Sequence, residues 1–426
     1  MKKLLKKLIP DFILYWYHWK WALMGALIYG FPSRQLKVIG VTGTKGKSTV
    51  VFLAGNILKD AGKKVGWISS LTINDGKKEV MNPYHMTMPG RFFVQKTLRQ
   101  MVKNGCEYAL VEVTSEGIKQ SRHRFIKWAG AVFTNLAPEH LEAHGGFEQY
   151  RVAKMKLFSA VAKNPESFGV YNLDDENVQY FLKHEVKNKF GYTLKSNPQS
   201  ILNVKNVQLS ASGSEFETND VKFKTNLLGE FNVYNCVAAA AIGLACGVPL
   251  EISAAALGKI KAIPGRLEII NEGQDFMVVV DLAHTPDSFA KVFKLFKELS
   301  GGRIISVFGS AGGGRDKWKR PELGRIASEN SDLIIICNED PYDENPSQIL
   351  SEIKSGIFSS QFPVPNLFEI QDRRNAIAKA LSLARQGDIV LILGKGTEQT
   401  YVEGNKKIAW DDRIAVRKEL KKLQIK

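Results

Sequence analysis

Acidic residues are in short supply: 59 lysines and arginines face 43 aspartates and glutamates, a net charge of +16. That balance calls for an acidic partner, which could be nucleic acid, an anionic membrane surface or a phosphorylated substrate. The basic residues are spread along the chain and no nucleic-acid module is visible, so nucleic acid is not expected. A phosphorylated substrate, met near a membrane, is. Cysteine is scarce as well. Cys106, Cys236, Cys246 and Cys337 are scattered, with no metal or redox spacing. This argues against a zinc site and fits isolated thiols in a reducing cytoplasm. Internal repeats and low-complexity tracts are also missing. The remaining composition, 44% hydrophobic and 24% charged, is that of a globular protein, and 426 residues imply two or three domains.

An unbroken membrane-spanning run is lacking too. After Lys2, Lys3, Lys6 and Lys7, residues 12–31 are apolar and contain three of the seven tryptophans, but His18 and Lys20 interrupt them. Those two polar groups argue against a span, and a signal peptide does not fit a nucleotide site that follows at once. Three readings remain for residues 1–34, in descending order: a helix packed on the next domain, a tryptophan-rich helix lying on a membrane surface, and a span.

The nucleotide site is the strongest signal. A β-rich run, Val38 to Val41, enters the turn Gly43-Thr44-Lys45-Gly46, and the residues from Lys47 to Leu58 read as a helix. Strand, glycine turn and helix point backbone N–H groups and a helix N-terminus at one place, which suits a phosphate. Lys47 can reach terminal phosphates and Ser48 can ligate Mg²⁺. The strict pattern would put a further glycine at position 41, where this chain has Val41.

Short strands alternate with helices from Leu36 to about Ile263, with strands expected at Val65–Ser69, Tyr108–Val113, Ala131–Thr134 and Gly169–Asn172. Segment 200–228 reads as antiparallel hairpins and Phe231–Ala245 as an alanine-rich helix. Pro264-Gly265 is a hinge candidate. A second α/β region follows, with strands at Phe276–Asp281, Arg303–Phe308, Leu333–Cys337 and Ile389–Leu393. The fold class is therefore α/β: a central P-loop-type, mainly parallel sheet over 35–263, then a smaller Rossmann-like domain over 264–426.

Two strand ends carry further chemistry. Glu112-Val-Thr114-Ser115 places a carboxylate where ligands bind in such sheets, and hard oxygens of this kind hold Mg²⁺. Thr134-Asn135-Leu136 is followed by His140 and His144, and then by Tyr150 to Lys154.

Together these segments resemble the Mur ligase family, enzymes that form amide bonds in peptidoglycan precursors at the expense of ATP. The later chain agrees: Gly229-Glu-Phe-Asn232-Val-Tyr-Asn235, Pro264-Gly265-Arg266, Asp281-Leu-Ala-His284, Arg315-Asp316-Lys317 and Gly394-Lys395-Gly396-Thr397-Glu398 match in order. The tripeptide-forming branch is the nearest. The resemblance implies that Gly43, Thr44, Lys45, Gly46, Lys47, Ser48 and Thr49 hold ATP phosphates and one Mg²⁺. It implies a second Mg²⁺ on Glu112 and His140, with Lys154 carrying a CO₂-derived carbamate as a further ligand. Asn135 belongs to the nucleotide set, Asn232 and Asn235 lie by the adenine, and Arg266 and Asp281 contact ATP. Thr87, Thr114, Ser115 and Arg122 line the acceptor, while His284, Arg315, Asp340, Pro341, Gly394 and Glu398 complete the substrate set. Catalysis falls to Lys47, Glu112, His140 and Lys154. The implied reaction passes through an acyl phosphate, protected from water by closure of the C-terminal domain.

The chain departs from the family in three ways. The family normally begins with a uridine-nucleotide domain of about a hundred residues, a typical small-domain size, whereas here the tryptophan-rich segment precedes the first strand. The expected acceptor is therefore a muramyl-peptide held by its peptide part, or one linked to lipid, with residues 1–33 as a peripheral membrane contact. Enzymes adding meso-diaminopimelate carry Asp-Asn-Pro-Arg, but this chain has Glu339-Asp340-Pro341-Tyr342-Asp343-Glu344. An acidic stretch suits a cationic side chain, so lysine or ornithine is expected ahead of diaminopimelate; the alternative is that Asp343 and Glu344 are solvated helix-start charges. Thr397 and Glu116 also replace histidines. The competing functions are a folylpolyglutamate or poly-γ-glutamate ligase, and a non-catalytic nucleotide-binding scaffold at the membrane. The expected location is the cytoplasm, with the inner membrane face as a variant.

Overall fold

A computed structural model describes residues 10–84, 86–139, 144–299, 301–359, 362–404 and 406–424. The chain forms two compact units, Met1–Lys261 and Ala262–Lys426. The first unit includes the N-terminal helix, and the break falls close to the Pro264-Gly265 turn.

In the first unit the elements run α1 (Asp11–Ile28), β1 (Lys37–Thr42), α2 (Lys47–Asp60), β2 (Val65–Ile68), β3 (Thr72–Asn74), β4 (Glu79–Met81), α3 (Arg91–Lys103), β5 (Tyr108–Glu112), α4 (Ser115–Lys119) and β6 (Trp128–Phe133). They continue α5 (Phe147–Val161), β7 (Phe168–Asn172), α6 (Val178–Leu182), β8 (Asn188–Thr193), β9 (Leu202–Ser210), β10 (Gly213–Thr218), β11 (Val221–Thr225), α7 (Glu230–Ala245) and α8 (Leu250–Lys259). All eleven strands share one sheet, ordered β11-β10-β9-β8-β7-β6-β1-β5-β2-β3-β4. The seven central strands pair in parallel, and antiparallel hairpins close both ends.

The sequence explains this arrangement. Parallel strands are covered on both faces, so they read as apolar runs, as Val38, Ile39 and Val41 do, all fully buried. In the hairpins polar residues alternate with apolar ones, and the inward Phe216 and Phe223 stack in register with centroids 4.9 Å apart. Helix α7 is buried from Asn232 to Gly243 apart from Tyr234, as its run of alanines requires.

The second unit runs β12 (Glu268–Ile270), β13 (Met277–Asp281), α9 (Pro286–Leu299), β14 (Ile304–Phe308), α10 (Lys319–Asn330), β15 (Leu333–Ile336), α11 (Pro346–Phe358), β16 (Leu367–Glu369), α12 (Arg373–Leu383), β17 (Ile389–Leu393), β18 (Thr400–Glu403), β19 (Lys406–Ala409) and α13 (Asp412–Gln424). Its main sheet is ordered β12-β13-β17-β14-β15-β16, parallel except for β12. Helix α9 buries Phe289, Val292, Phe293 and Phe296, an i, i+3, i+4, i+7 stripe. Asn345 and Asp372 cap α11 and α12, each side chain accepting a backbone N–H.

Helix α1 packs against the first unit, with Ala22 and Ala26 buried. No helix among the described residues is long and apolar enough to cross a membrane, so the packed reading holds for one face of α1.

Candidate active site

In the first unit the site is built from neighbouring strand ends. β1 lies between β6 and β5, with β2 beyond β5, so the segments after Thr42, Ile68, Glu112 and Phe133 emerge on one edge of the sheet. The turn after β1 needs its glycines. Gly46 has φ +82°, and a Cβ there would lie 2.3 Å from Asn235 Oδ1; at Gly43 it would lie 2.0 Å from Thr134 Oγ1. The turn is also braced. Thr44 N donates to Asn135 O and Lys45 N to Asn135 Oδ1, each at 2.8 Å, while Thr134 Oγ1 donates to Lys45 O at 2.7 Å. Both polar ends of Asn135 thus meet Lys45 backbone. Asn235 Nδ2 donates to Asn232 Oδ1 at 3.0 Å, which places this pair against the turn at Gly46.

The cations gather at the turn. Lys47 Nζ donates to Thr44 O at 2.8 Å, and Lys45 pairs with Glu139 at 2.9 Å. Lys154, one helical turn beyond Tyr150 on α5, is buried and donates to Gly43 O at 2.6 Å. Burial first, and then the nearby Lys47, hold its amine well below the usual lysine range, against the pull of Glu139 and Glu112. Tyr150 lies under this amine, 4.5 Å from ring centre to Nζ, and its hydroxyl bonds to Thr44 Oγ1 at 3.2 Å. His144 packs edge-on against Tyr150, with centroids 5.4 Å apart. His140 lies outside the described residues.

A row of oxygens runs beside the turn. Ser48 Oγ and Ser70 Oγ are 2.7 Å apart, and Ser70 reaches Glu112 Oε2 through its N–H at 2.7 Å and its hydroxyl at 3.1 Å. Ser70 was not expected from the sequence. It follows β2, and the strand order brings it to the same edge as Ser48 and Glu112. The row is a set of hard donors of the kind that suits Mg²⁺, which takes one or two protein oxygens and fills its shell with phosphate and water. Among the described residues there is no group of three or more His, Cys, Asp or Glu side chains that could hold a metal ion. Thr49 is buried in the first turn of α2.

The expected acceptor residues fall into two places. Thr114 caps α4, its hydroxyl accepting from Gly117 N at 3.1 Å, and Ser115 is buried beside it. Arg122 hydrogen-bonds the Met88 carbonyl, one residue from Thr87, and donates to Gln120 Oε1 at 2.6 Å. Burial, and then Arg91, lower the Arg122 pKa.

In the second unit the candidate residues again occupy strand ends. Asp281 ends β13 and accepts from Leu267 N at 2.8 Å and Ala283 N at 2.7 Å. Burial raises its carboxyl pKa against the opposing Arg266. His284 Nδ1 donates to Leu282 O at 2.7 Å, because a carbonyl can only accept. Gly394 N donates to Asp281 O, so the loops after β13 and β17 meet.

The acidic stretch is already occupied. Asp340 accepts from Lys395 Nζ at 2.8 Å and from Val402 N at 2.7 Å, and Lys395 also donates to Glu398 at 2.9 Å. Glu344 pairs with the buried Arg320 at 3.0 Å and with Lys317. The expectation that this stretch as a whole meets a cationic side chain is therefore corrected: internal cations neutralise Asp340 and Glu344. Asp343 is exposed. Glu339 differs. It is buried, its Oε2 has no hydrogen-bond partner, and a Cβ on Gly394 would lie 2.4 Å from that oxygen. Burial raises its pKa beyond what Lys319, Lys395 and Arg373 restore. Tyr342 takes φ +54°; burial lowers the Arg315 pKa, but Tyr342, Glu398 and Glu339 raise it overall.

Comparison with known proteins gives a consistent picture. Residues 41–243 match the Mur ligase middle domain, and residues 265–396 match the Mur ligase glutamate ligase domain. A UDP-N-acetylmuramyl-tripeptide synthetase of Borreliella afzelii is 41% identical over 405 residues, covering 93% of this chain and 79% of the relative. A UDP-N-acetylmuramoyl-L-alanyl-D-glutamate–2,6-diaminopimelate ligase of Geobacillus kaustophilus is 37% identical, covering 94% and 82%. A solved diaminopimelate ligase of the same description superposes with TM-score 0.62 at 29% identity, covering 91% of this chain and 79% of that one. The ADP complex of Mycobacterium tuberculosis folylpolyglutamate synthase reaches TM-score 0.70 at 16% identity over 89% and 92%, a likeness of fold.

Proposed function

Since the chain belongs to the Mur ligase family, we propose that it is an ATP-dependent acid–amino-acid ligase of peptidoglycan precursor synthesis. It adds a diamino acid to a muramyl-L-Ala-D-Glu acceptor. One observation carries the reading: Lys47, Ser48, Glu112 and Lys154 converge on a single braced phosphate turn. A non-catalytic scaffold has no use for that convergence.

The reaction has two steps. The acceptor carboxylate attacks the γ-phosphorus of ATP, giving an acyl phosphate and ADP. The neutral amine then attacks the acyl carbon, phosphate departs with the electron pair of the C–O bond, and the ammonium loses its proton. The turn from Gly43 to Ser48 and the N-terminus of α2 hold the phosphates, and Lys47 exchanges Thr44 O for a phosphate oxygen. Two Mg²⁺ ions, one at Ser48 and one held by Glu112, His140 and a carbamate on Lys154, would supply charge neutralisation on the transferring group. What supports them is the oxygen row, a set of hard donors beside the turn, and a Lys154 amine whose pKa burial and Lys47 hold below the usual lysine range. Asn232, Asn235, Arg266 and Asp281 serve the nucleotide, and Thr87, Thr114, Ser115 and Arg122 serve the acceptor.

The favoured amine is lysine or ornithine. The support is Glu339, whose buried, unpartnered oxygen beside Gly394 would be relieved by a ligand ammonium. Catalysis takes place in the cytoplasm, and residues 1–33 bring the enzyme to the inner face of the membrane.

The deciding test is ADP release with UDP-N-acetylmuramyl-dipeptide, offering lysine, ornithine or meso-diaminopimelate in turn. Turnover with a cationic side chain alone is the expected result. Turnover with diaminopimelate alone would refute the reading of Glu339. No turnover with any amine, despite Mg-ATP binding, would refute the UDP-linked acceptor and direct the assay to lipid-linked muramyl-peptides.

A further inference from the structure

Helix α1 has two faces. One is fixed to the protein: Ala22 and Ala26 are buried, Trp21 packs on Phe92 with centroids 5.6 Å apart, and Trp19 packs on Phe125 at 5.4 Å. Gly25 brings the backbone close to α3, since a Cβ there would lie 3.5 Å from Arg91 O. Arg99 locks the end of the helix by donating to Tyr29 O at 2.7 Å and to Gly30 O at 2.8 Å. The other face is uncovered and apolar. Ile13, Tyr17, Met24, Leu27 and Ile28 recur at helical spacing with Lys20 among them, and Tyr15 and Trp16 flank the row. Trp16 is 54% exposed and Ile28 62%, which is unusual for side chains of this size.

The charge around this face is predominantly positive, with Asp11 at the start of the helix and Glu116 on α4 as acidic exceptions. No Asp or Glu occurs from Phe12 to Lys59, or from Val80 to Cys106. Arg91 lies over the Tyr17 ring at 5.8 Å, and Arg124 lies over Tyr15 at 5.4 Å while donating to its hydroxyl at 2.8 Å. Lys96 is exposed on α3, and Lys2, Lys3, Lys6 and Lys7 precede the helix in sequence.

We propose that the exposed face of α1 is a docking surface for an anionic lipid bilayer, seated at headgroup depth. Tryptophan and tyrosine favour that depth, where an apolar ring and a polar edge are both satisfied. Lys20 extends its charged end to the headgroups while its stem stays with the apolar row. The surrounding arginines and lysines meet anionic lipid, and the fixed inner face prevents the helix from spanning. A second copy is a poor occupant, because two such faces would set like charges against each other. The inference rests on the placing of the enzyme at the inner membrane face, and it specifies the lipid class and the residues that make contact.

The test is co-sedimentation of the full chain with phosphatidylglycerol–phosphatidylcholine vesicles and with phosphatidylcholine alone. Binding to the anionic vesicles at least about tenfold tighter is expected, weakening with salt. The triple variant Trp16→Ser, Leu27→Ser, Ile28→Ser touches only exposed positions. It should lose roughly tenfold or more in vesicle affinity, with ADP release from a soluble acceptor unchanged. Equal binding by wild type and variant, or no preference for anionic lipid, would overturn the proposal. So would a wild-type dimer in light scattering that the substitutions dissolve. Loss of the ligase reading would appear separately, as intact vesicle binding without amine-dependent ADP release.

Discussion

Lys154 Nζ donates to the Gly43 carbonyl across 2.6 Å, joining the middle of α5 to the first glycine of the phosphate turn. A lysine buried among other cations is costly unless the site needs a neutral amine, and carbamate formation needs one. We expect Lys154→Ala to lower kcat by about 100-fold or more with the fold intact, and added short carboxylates to restore part of the rate. Rescue is read as ADP release against carboxylate concentration. Equal rates for variant and wild type would remove Lys154 from the machinery.

Ser70 stands between Ser48 and Glu112. Ser70→Ala should leave the melting temperature within a few degrees and raise the Mg²⁺ concentration needed for half-maximal rate, by roughly 10-fold or more. A magnesium titration of ADP release at saturating ATP checks this.

Glu339→Gln keeps the shape of the side chain and removes its charge. The KM for the preferred diamino acid should rise by about tenfold or more with kcat much less affected, the pattern of lost ground-state binding. Tyr342→Arg, which puts an arginine after Pro341, should shift preference toward meso-diaminopimelate in the same amine panel.

Arg373 and Asp412 form a fully buried pair, with bonds of 2.8 and 2.7 Å. Arg373→Met would strand a carboxylate inside the second unit and destabilise it by about 3–5 kcal/mol. The double variant Arg373→Met, Asp412→Leu should recover much of that loss. Urea unfolding measures both.

His123 is buried with its Nδ1 unpartnered, and burial, then Arg124 and Lys156, push its pKa down to about 3. The folded imidazole stays neutral while the unfolded one takes up a proton below its ordinary value, so stability falls as pH drops from about 6.5 and levels off near 3. The loss from this residue is on the order of 5 kcal/mol at the acid end. His123→Gln should flatten the urea midpoint against pH between 7 and 4.

The sheet, and the gathering of the candidate residues along its edge, was legible because parallel strands buried on both faces leave apolar runs, as at Val38–Val41 and Ile389–Leu393. Strand β8, Asn188–Thr193, was not, because its polar first residues and central glycine show neither alternation nor an apolar run. Ser70 escaped because a single serine after a strand carries no pattern; only the strand order brings it to Glu112. The acidic stretch misled for the opposite reason. Its charges stand out in sequence, but their partners Lys395 and Arg320 are 55 and 24 residues away.

The phosphate turn is held by hydrogen bonds from within the protein, to Thr134 and Asn135. A loop arrested in this way has little freedom left to surrender on binding, so ATP capture should resemble docking into a finished mould. Calorimetry would then show a small ordering entropy. It also follows that substitutions at Thr134 or Asn135 would slow nucleotide association by letting the mould soften.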